Sequence, residues 1–358
     1  MKPPPYTVAL VVIARDEAPR IERLLASVRP WVDAMLVLDT GSTDATPALA
    51  AAAGARVEHF RWCDDFAAAR NRALELAGAD WHLVLDADEW LVDGGACLQG
   101  LRGMAPDFVG ALRLRDQFDG AAGEAAELSG WVSRVLPGAV RYEGVVHEQP
   151  RHGLRVVRLP VVAGHDGHRA ARLADKRGRN RALLARALED APDDAYLWYQ
   201  WGKDCAVYDE HEPAEQGFAK AAALATGTEP WWRDFVARRL YGLKKLKRHA
   251  DAMEFAGAQM PRCGDSPDFF FAIGDLLLDL AADEPQRAGE LLPLIEQAWG
   301  QCLALGERPD LVGAVAGRGS WLAAHNLAVV FEGTGRADEA AALRAAHPAP
   351  PAPPTAPR

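Results

Sequence analysis

The chain has 358 residues, of which 49% are apolar and 25% charged, and its formal net charge at pH 7 is −10. This composition is typical of a globular protein, and the length allows more than one core. The acidic balance argues against a general nucleic-acid binder, which needs a basic face. Five scattered cysteines form no CxxC pair, and the charged N-terminal segment has neither the length of a membrane span nor the layout of a signal peptide. We therefore expect a cytoplasmic protein.

Strand-like and helix-like segments alternate over the first hundred residues. The predicted strands are "TVALVVIA" (7–14), "AMLVLDT" (34–40) and "WHLVLDA" (81–87), and the predicted helices cover 18–28, 44–55 and 65–79. Continuous apolar strands separated by helices predict a parallel sheet covered on both faces. From about residue 107 to 163 the pattern changes to shorter, hairpin-like strands.

After about residue 170 the sequence becomes helical and rich in alanine. It repeats weakly, with spacings that fit tetratricopeptide helix pairs, and each such pair needs a neighbour to cover its apolar face. The matching positions are Trp198, Gly202, Ala214, Phe218 and Ala221, then Phe270 with Gly274, and Ala328 with Ala340. Helices without true repeats remain the alternative. The Pro/Ala-rich tail is predicted to be disordered because it cannot bury apolar surface.

Each of the three predicted strands ends in a polar cluster. The clusters are Ala14–Glu17, Asp39–Asp44 and Asp86–Glu89. The carboxyl ends of parallel strands line one edge of a sheet, where ligands bind, so the clusters are expected to meet in one crevice. Taken singly, the second cluster could be only a capped turn, and the third only a solvated loop. Three such clusters in chain order favour a binding site.

Residues 1–168 resemble a family 2 glycosyltransferase with the GT-A fold. The resemblance is carried by "VVIARDEAPRIERLLASV", "LVLDTGSTDAT", "DDFAAARNRAL" and "LVLDADEW". It implies an α/β fold with a mostly parallel sheet and flanking helices, followed by an all-α TPR-like domain over 169–346 and the tail at 347–358. It also implies a UDP- or GDP-type sugar donor, inverting transfer, and Mn²⁺ or Mg²⁺ at the D-x-D element.

The acids of the D-x-D element divide by role in this resemblance. Asp88 is the expected metal ligand, and Asp86 would face the ribose or a metal-bound water. The two would alternate along an extended chain and point different ways. Glu89 is the weaker candidate, expected at the surface or behind the ligands. His165 is the expected second metal contact, with His168 and His147 as runners-up, although a lone histidine is as often structural.

The resemblance also implies residues that contact the nucleotide sugar. Arg70 is expected at the diphosphate, although it could simply pair with Asp64 or Asp65. Asp39 can accept a hydrogen bond from a base N–H, but Thr40 stands where many relatives have a second acid. The full set of expected nucleotide-sugar contacts is Ala14, Arg15, Glu17, Asp39, Gly41, Ser42, Arg70, Asp86 and Ala87.

Inverting transfer requires a general base that takes the acceptor's proton. Glu148, in "RYEGVVHEQP", is the preferred catalytic residue and Glu143 the second choice, although a strand salt bridge is an alternative for both. The Glu-Asp pair of many relatives is absent. The remaining candidates are Asp116, Asp119, Glu124 and Glu127.

Three functions from different classes are weighed. The preferred one is a metal-dependent glycosyltransferase whose helices hold a peptide, protein or glycan acceptor, with a homodimer among the expected assemblies and neither nucleic acid nor a membrane span involved. The alternative is a catalytically inactive nucleotide-sugar-binding protein or TPR-type scaffold. A nucleotidyltransferase ranks lowest, because "ARDEAPR" is acidic and lacks the glycines of a phosphate loop.

Overall fold

The computed structural model describes residues 5–119, 125–168 and 178–349. The chain divides into two compact units, the first comprising residues 1–127 and 131–183 and the second residues 128–130 and 184–358. The predicted domain boundary between residues 168 and 169 lies at the edge of the described ranges and stays a prediction. The predicted tail lies mostly outside them.

The first unit is built on a mixed, mostly parallel sheet, as the sequence predicts. Its strand order is β3-β2-β1-β4-β7-β6-β10-β5, and β8 pairs with β9 in a separate two-stranded sheet. Strands β4 and β7 are antiparallel, as are β10 and β5. The strands are β1 (Val8–Ala14), β2 (Ala34–Asp39), β3 (Arg56–His59), β4 (Trp81–Val84), β5 (Glu89–Asp93), β6 (Phe108–Asp119), β7 (Ala125–Pro137), β8 (Arg141–Glu143), β9 (Gln149–Arg151) and β10 (Arg155–His168).

Helices cover both faces of this sheet. The helices of the first part of the chain are α1 (Ala18–Val28), α2 (Thr46–Ala52), α3 (Phe66–Ala77) and α4 (Gly95–Gly100). Leu10 and Val12 of β1 pack with Leu24 of α1 in one core. Val11 points to the opposite face and packs in a core with Leu74 of α3. This alternation explains why β1 has no polar position.

The carboxyl ends of β1, β2 and β4 lie at one edge of the sheet. The parallel register places Ala14 opposite Asp39 and Val11 opposite Val84. The three polar clusters therefore emerge side by side, and the predicted convergence is confirmed. We call this region the carboxyl edge.

The third predicted strand is shorter than expected. β4 ends at Val84, and a turn over 86–89 leads into β5, which begins at Glu89. The Glu89 N–H donates to the Asp86 carbonyl at 2.9 Å across this turn. The prediction that Asp86 and Asp88 alternate along an extended chain is therefore wrong. Carboxylates resist burial in a central strand, whereas a turn lets each take its own partner.

The second unit is helical. Helix α5 (Arg179–Asp190) begins in the first unit and continues into the second. The other helices of the second unit are α6 (Ala195–Val207), α7 (His211–Leu224), α8 (Trp232–Lys245), α9 (His249–Cys263), α10 (Pro267–Asp283), α11 (Ala288–Leu305), α12 (Trp321–Gly333) and α13 (Ala337–Ala346). A Cβ on Gly202 would lie 2.4 Å from the Phe218 ring, and one on Gly274 would lie 2.5 Å from Trp299. Small residues thus allow helices to approach closely at predicted positions, as in TPR-like helix pairs. Among the described residues, no helix has the length and apolar character needed to cross a membrane.

His82 in β4 links the stability of the first unit to pH. Its side chain is buried, and its Nε2 accepts a hydrogen bond from the Ala79 N–H at 3.3 Å. Burial and the positive charge of Arg141 together lower the pKa of His82 to about 4, against a small opposing effect of Asp80. The unfolded chain binds this proton near pH 6.5, whereas the folded state does not. Stability is therefore complete above pH 6.5 and falls as pH drops toward 4.

We expect this effect to cost about 3 kcal/mol between pH 6.5 and 4, at about 1.4 kcal/mol per unit of pKa difference. A His82→Gln variant keeps an acceptor for the Ala79 N–H and should lose that part of the pH dependence. Hydrogen exchange of the β4 amides at both pH values measures it. His325→Gln, an exposed change on α12, is the control. Equal pH dependence in wild type and His82→Gln would contradict the assignment.

Candidate active site

The loop after β2 is organised by Asp39. Its buried carboxylate accepts hydrogen bonds from the N–H groups of Gly41 at 3.3 Å and Ser42 at 3.1 Å, and His59 Nδ1 lies 3.2 Å away. Burial alone would raise the pKa of Asp39, but the hydrogen bonds from Ser42, His59 and Gly41 hold it below the usual value. Gly41 has φ of 109°, which favours glycine. Asp39 thus remains anionic at the carboxyl edge.

The loops after β1 and β2 are linked directly. Asp16, at φ of 54°, donates its N–H to Ser42 Oγ at 3.0 Å and accepts from the Thr43 N–H at 2.7 Å. The Ala14 carbonyl accepts the Thr40 N–H at 2.9 Å. The first two clusters are therefore held together by direct hydrogen bonds.

Arg15 and Glu17 differ in exposure on this surface. The Arg15 side chain is 55% exposed, and its Nε is 3.8 Å from Asp16. The Glu17 carboxylate lies 3.4 Å from Arg20, and its backbone N–H donates to Thr46 Oγ1 at 2.7 Å. Arg15 is therefore accessible to an anionic ligand, whereas Glu17 helps to fix the start of α1.

Two arginines hold Asp86. Arg70 Nη2 donates to Asp86 Oδ1 at 2.6 Å, and Arg134 Nη2 donates to Asp86 Oδ2 at 2.7 Å. Burial would raise the pKa of Asp86, but the attraction of Arg134 and Arg70 outweighs it and holds the pKa well below its usual range. Neither Asp64 nor Asp65 is needed as a partner of Arg70. Both Asp86 oxygens already accept charge-assisted hydrogen bonds, which disfavours direct cation coordination by this residue.

Glu89 is buried, so of its two expected positions, at the surface or behind the ligands, the structure excludes the first and fits the second. Its side chain accepts from Arg134 Nη2 at 2.7 Å and from the Asp86 N–H at 2.9 Å. Burial raises the pKa of Glu89 to about 7, opposed by Arg134 and reinforced by the charge of Asp86. Glu89 therefore stabilises the turn of 86–89 from its buried side.

Asp88 and His165 form a second contact at the edge. The two side chains are both buried, with His165 Nε2 3.4 Å from Asp88 Oδ2. His165 lies on β10 directly opposite Glu89 of β5, which explains how residues far apart in sequence meet. The small Ala87 between the two aspartates is also buried.

The donor set at this contact suits a divalent cation. With ligand bonds of about 2.1 Å, two ligand atoms on one ion lie about 3 Å apart, close to the observed separation. Carboxylate with imidazole suits Mn²⁺ better than Mg²⁺. Arg70 Nη1, Arg134 Nε and the Tyr142 hydroxyl are buried without a hydrogen-bond partner among the described residues. Unsatisfied donors in the same network as the Asp88–His165 contact fit a site that takes an anionic ligand.

A group of three close metal-ligand atoms occurs elsewhere, among the residues that the structure describes. It consists of His249, Asp279 and Asp283 in the second unit, with atoms within 4.8 Å of one another. There the Lys247 ammonium lies 2.8 Å from Asp279 and 2.9 Å from Asp283. This lysine already supplies a positive charge to the group.

Glu148 is brought to the carboxyl edge by Arg70, whose Nε donates to its carboxylate. The segment that carries it is attached to α3 through Asn71, which accepts from the Tyr142 N–H at 2.8 Å and donates to the Tyr142 carbonyl at 2.9 Å. Glu143 is instead exposed and lies 3.6 Å from Arg151. Of the two preferred candidates, only Glu148 contacts the Asp86 network.

Most of the other candidates for the general base and for the second metal contact lie outside the described residues. Glu124 lies outside the described residues, and the side chains of Asp116, Asp119, Glu127 and His168 also lie outside them. His147 has φ of 53° in the loop before Glu148.

Arg134 is a residue of the site that the sequence does not predict. The signal was present as a single basic residue within the apolar strand segment "GWVSRVL", but nothing local names its partners.

Comparison with known proteins shows several similarities. Residues 9–108 match the family model described as Glycosyl transferase family 2. A TPR repeat-containing protein of Synechococcus elongatus is 38% identical over 263 residues, which is 70% of this chain and 64% of the relative. The SPbeta prophage-derived glycosyltransferase SunS of Bacillus subtilis is 25% identical over 219 residues, which is 58% of this chain and 51% of the relative. The chain thus spans between about half and two thirds of these relatives' length.

One solved structure with partial similarity is glucosyl-3-phosphoglycerate synthase from Mycobacterium tuberculosis in complex with Mn²⁺, UDP and glucosyl-3-phosphoglycerate. It is 26% identical, with a TM-score of 0.26, and the match covers 33% of this chain and 46% of that one.

The Arg70 contacts give a stability prediction. Arg70→Met leaves Asp86 and Glu148 without their shared guanidinium, and we expect a loss of about 3–5 kcal/mol because the remaining charges stay partly buried. Arg72→Met is the matched control on the same helix, since the Arg72 side chain is 51% exposed. The control should change stability by about 0.5 kcal/mol or less. Hydrogen exchange of the β1 amides measures both, and equal losses would contradict the prediction.

Proposed function

We propose that this chain, whose residues 9–108 match the model of glycosyl transferase family 2, is a glycosyltransferase that moves a sugar from a UDP- or GDP-type nucleotide sugar to an acceptor. The observation that carries the proposal is the meeting of three polar clusters at one sheet edge, with Asp88 and His165 3.4 Å apart. This edge is where open α/β sheets bind ligands.

Asp88 and His165 are proposed to hold Mn²⁺ or Mg²⁺. The bound cation would offset the negative charge that grows on the nucleoside diphosphate as it leaves. Asp86 is proposed to act beside the cation rather than on it, because Arg70 and Arg134 occupy both of its oxygens. Its carboxylate then fixes Arg70 and Arg134, whose Nη1 and Nε respectively have no hydrogen-bond partner among the described residues and would donate to the diphosphate.

The linked loops after β1 and β2 are proposed to bind the nucleoside. The Asp39 carboxylate accepts hydrogen bonds from Gly41, Ser42 and His59, and since a carboxylate has about four lone-pair sites, one remains for a base N–H. Arg15 is exposed beside it and suits a phosphate or ribose oxygen. The backbone at Ala14, Gly41 and Ser42 completes the surface, while the part of Glu17 is to orient α1.

Glu148 is proposed to be the general base of an inverting transfer. The acceptor's nucleophilic atom bonds to the anomeric carbon, the bond from that carbon to the diphosphate breaks, and Glu148 accepts the proton. The ion pair with Arg70 places its carboxylate beside the Asp86 network. One carboxylate oxygen faces Arg70 Nε, which leaves the other for the acceptor.

The helical unit is proposed to hold the acceptor, which we expect to be a peptide, protein or glycan. Stacked helix pairs form extended concave surfaces, and such surfaces suit a long ligand better than a small one.

The cation assignment is tested by Asp88→Asn, which removes the charge and keeps the shape. We expect the variant to lose at least about a hundredfold in Mn²⁺-dependent donor hydrolysis or transfer, screened across UDP and GDP sugars. The control is Asp93→Asn, an exposed acid at the far end of β5. Unchanged turnover in Asp88→Asn would overturn the assignment. Failure of every nucleotide sugar to bind the wild type with Mn²⁺, measured by calorimetry, would favour the inactive scaffold.

The base assignment is tested by Glu148→Gln. We expect kcat to fall about 10²–10⁴-fold, while donor binding, measured by calorimetry with Mn²⁺, stays close to the wild-type value. Glu143→Gln is the matched control from the same segment, with an exposed carboxylate. If Glu148→Gln and Glu143→Gln transfer sugar equally well, Glu148 is not the base.

A further inference from the structure

The sequence does not predict Arg134 as a site residue, yet this residue lies at the centre of the charged network. It extends from β7, its side chain is 13% exposed, and its Nη2 contacts both Asp86 and Glu89 at 2.7 Å. A guanidinium in this position costs desolvation, which only close acidic partners offset. Its two contacts join the first and last acids of the turn that also carries Asp88.

Among the described residues, the network has more acidic than basic groups. Four carboxylates belong to it or adjoin it, together with two guanidiniums. The carboxylates are Asp86, Asp88, Glu89 and Glu148, and the guanidiniums are those of Arg70 and Arg134. Removal of one charged group on either side should therefore change cation affinity in a direction set by its sign.

We propose that Arg134 is a positioning residue that sets the cation affinity of the carboxyl edge. It holds Asp86 and Glu89 away from the cation and offsets part of their charge, so that Asp88 and His165 bind the ion weakly until a nucleoside diphosphate adds its own oxygens. Arginine suits this task because its charge is fixed and its planar group reaches two carboxylates at once. The inference rests on the proposed function, since it assumes a cation at Asp88 and His165.

The test measures Mn²⁺ binding to the full chain by calorimetry and by the electron paramagnetic resonance of free Mn²⁺, with and without UDP or GDP. Without nucleotide, Arg134→Met should bind Mn²⁺ about tenfold more tightly than wild type, because a positive charge is lost. At about pH 8, where Glu89 is ionised, Glu89→Gln should bind it about tenfold more weakly, because a negative charge is lost. A loss of packing alone would weaken binding in both variants.

Two further variants keep the test decisive if Arg134→Met folds poorly. The double variant Arg134→Met/Glu89→Gln restores the charge balance and should return to within about threefold of the wild-type Mn²⁺ affinity. Arg134→Lys keeps the charge without the planar group, and should retain that affinity while kcat falls. Arg56→Met, at an exposed ion pair with Glu58 on β3, controls for net charge and should leave binding unchanged.

The outcomes separate this inference from the function on which it rests. Opposite shifts in Arg134→Met and Glu89→Gln support it. Shifts in the same direction, or none, overturn it while the glycosyltransferase proposal stands. Absence of Mn²⁺ binding by the wild type, with UDP and with GDP, overturns the proposed cation site itself.

Discussion

The paired guanidiniums around Asp86 are the contact on which the carboxyl edge depends. Arg70 comes from α3 and Arg134 from β7, so one carboxylate joins a helix on one face of the sheet to a strand within it. Arg70 also reaches Glu148, which lies on a different segment. Asp86 and Arg70 together join α3, β7 and the segment that carries Glu148, so the positions of these three parts depend on one another. Removal of one partner leaves the other side chains charged and partly buried.

The sheet supplies the second constraint. Since β1 is buried on both faces, its neighbours must pair in a single register, and that register fixes where their polar ends emerge. The antiparallel addition of β5 to β10 then places His165 beside the turn of 86–89. The same strand pairings therefore determine both the fold and the site. The residues of the site lie on loops whose ends are fixed by the sheet.

The parts of this arrangement that follow from local pattern could be predicted from the sequence. Helix α1 begins and ends at the predicted residues because its apolar positions repeat at helical spacing. The convergence of the three clusters follows from parallel strands alone. The contacts of Arg134 could not be predicted, because its partners lie 45 and 48 positions away and depend on an antiparallel strand. The position of Glu89 stays open in the sequence for the same reason, because only the contact with Arg134 decides between the surface and a buried position behind Asp88.

The arginines also explain why a buried strand can be followed directly by three acidic residues. From the sequence alone, a cation and a diphosphate were the expected counter-charges for "LVLDADEW". In the structure, the guanidiniums of Arg70 and Arg134 neutralise the acids that flank Asp88, so the turn forms with its own partners in place. In the proposed transfer, the nucleoside diphosphate and its cation leave in every cycle, and their charge leaves with them. The internal arginines would then keep the acids beside Asp88 paired between cycles.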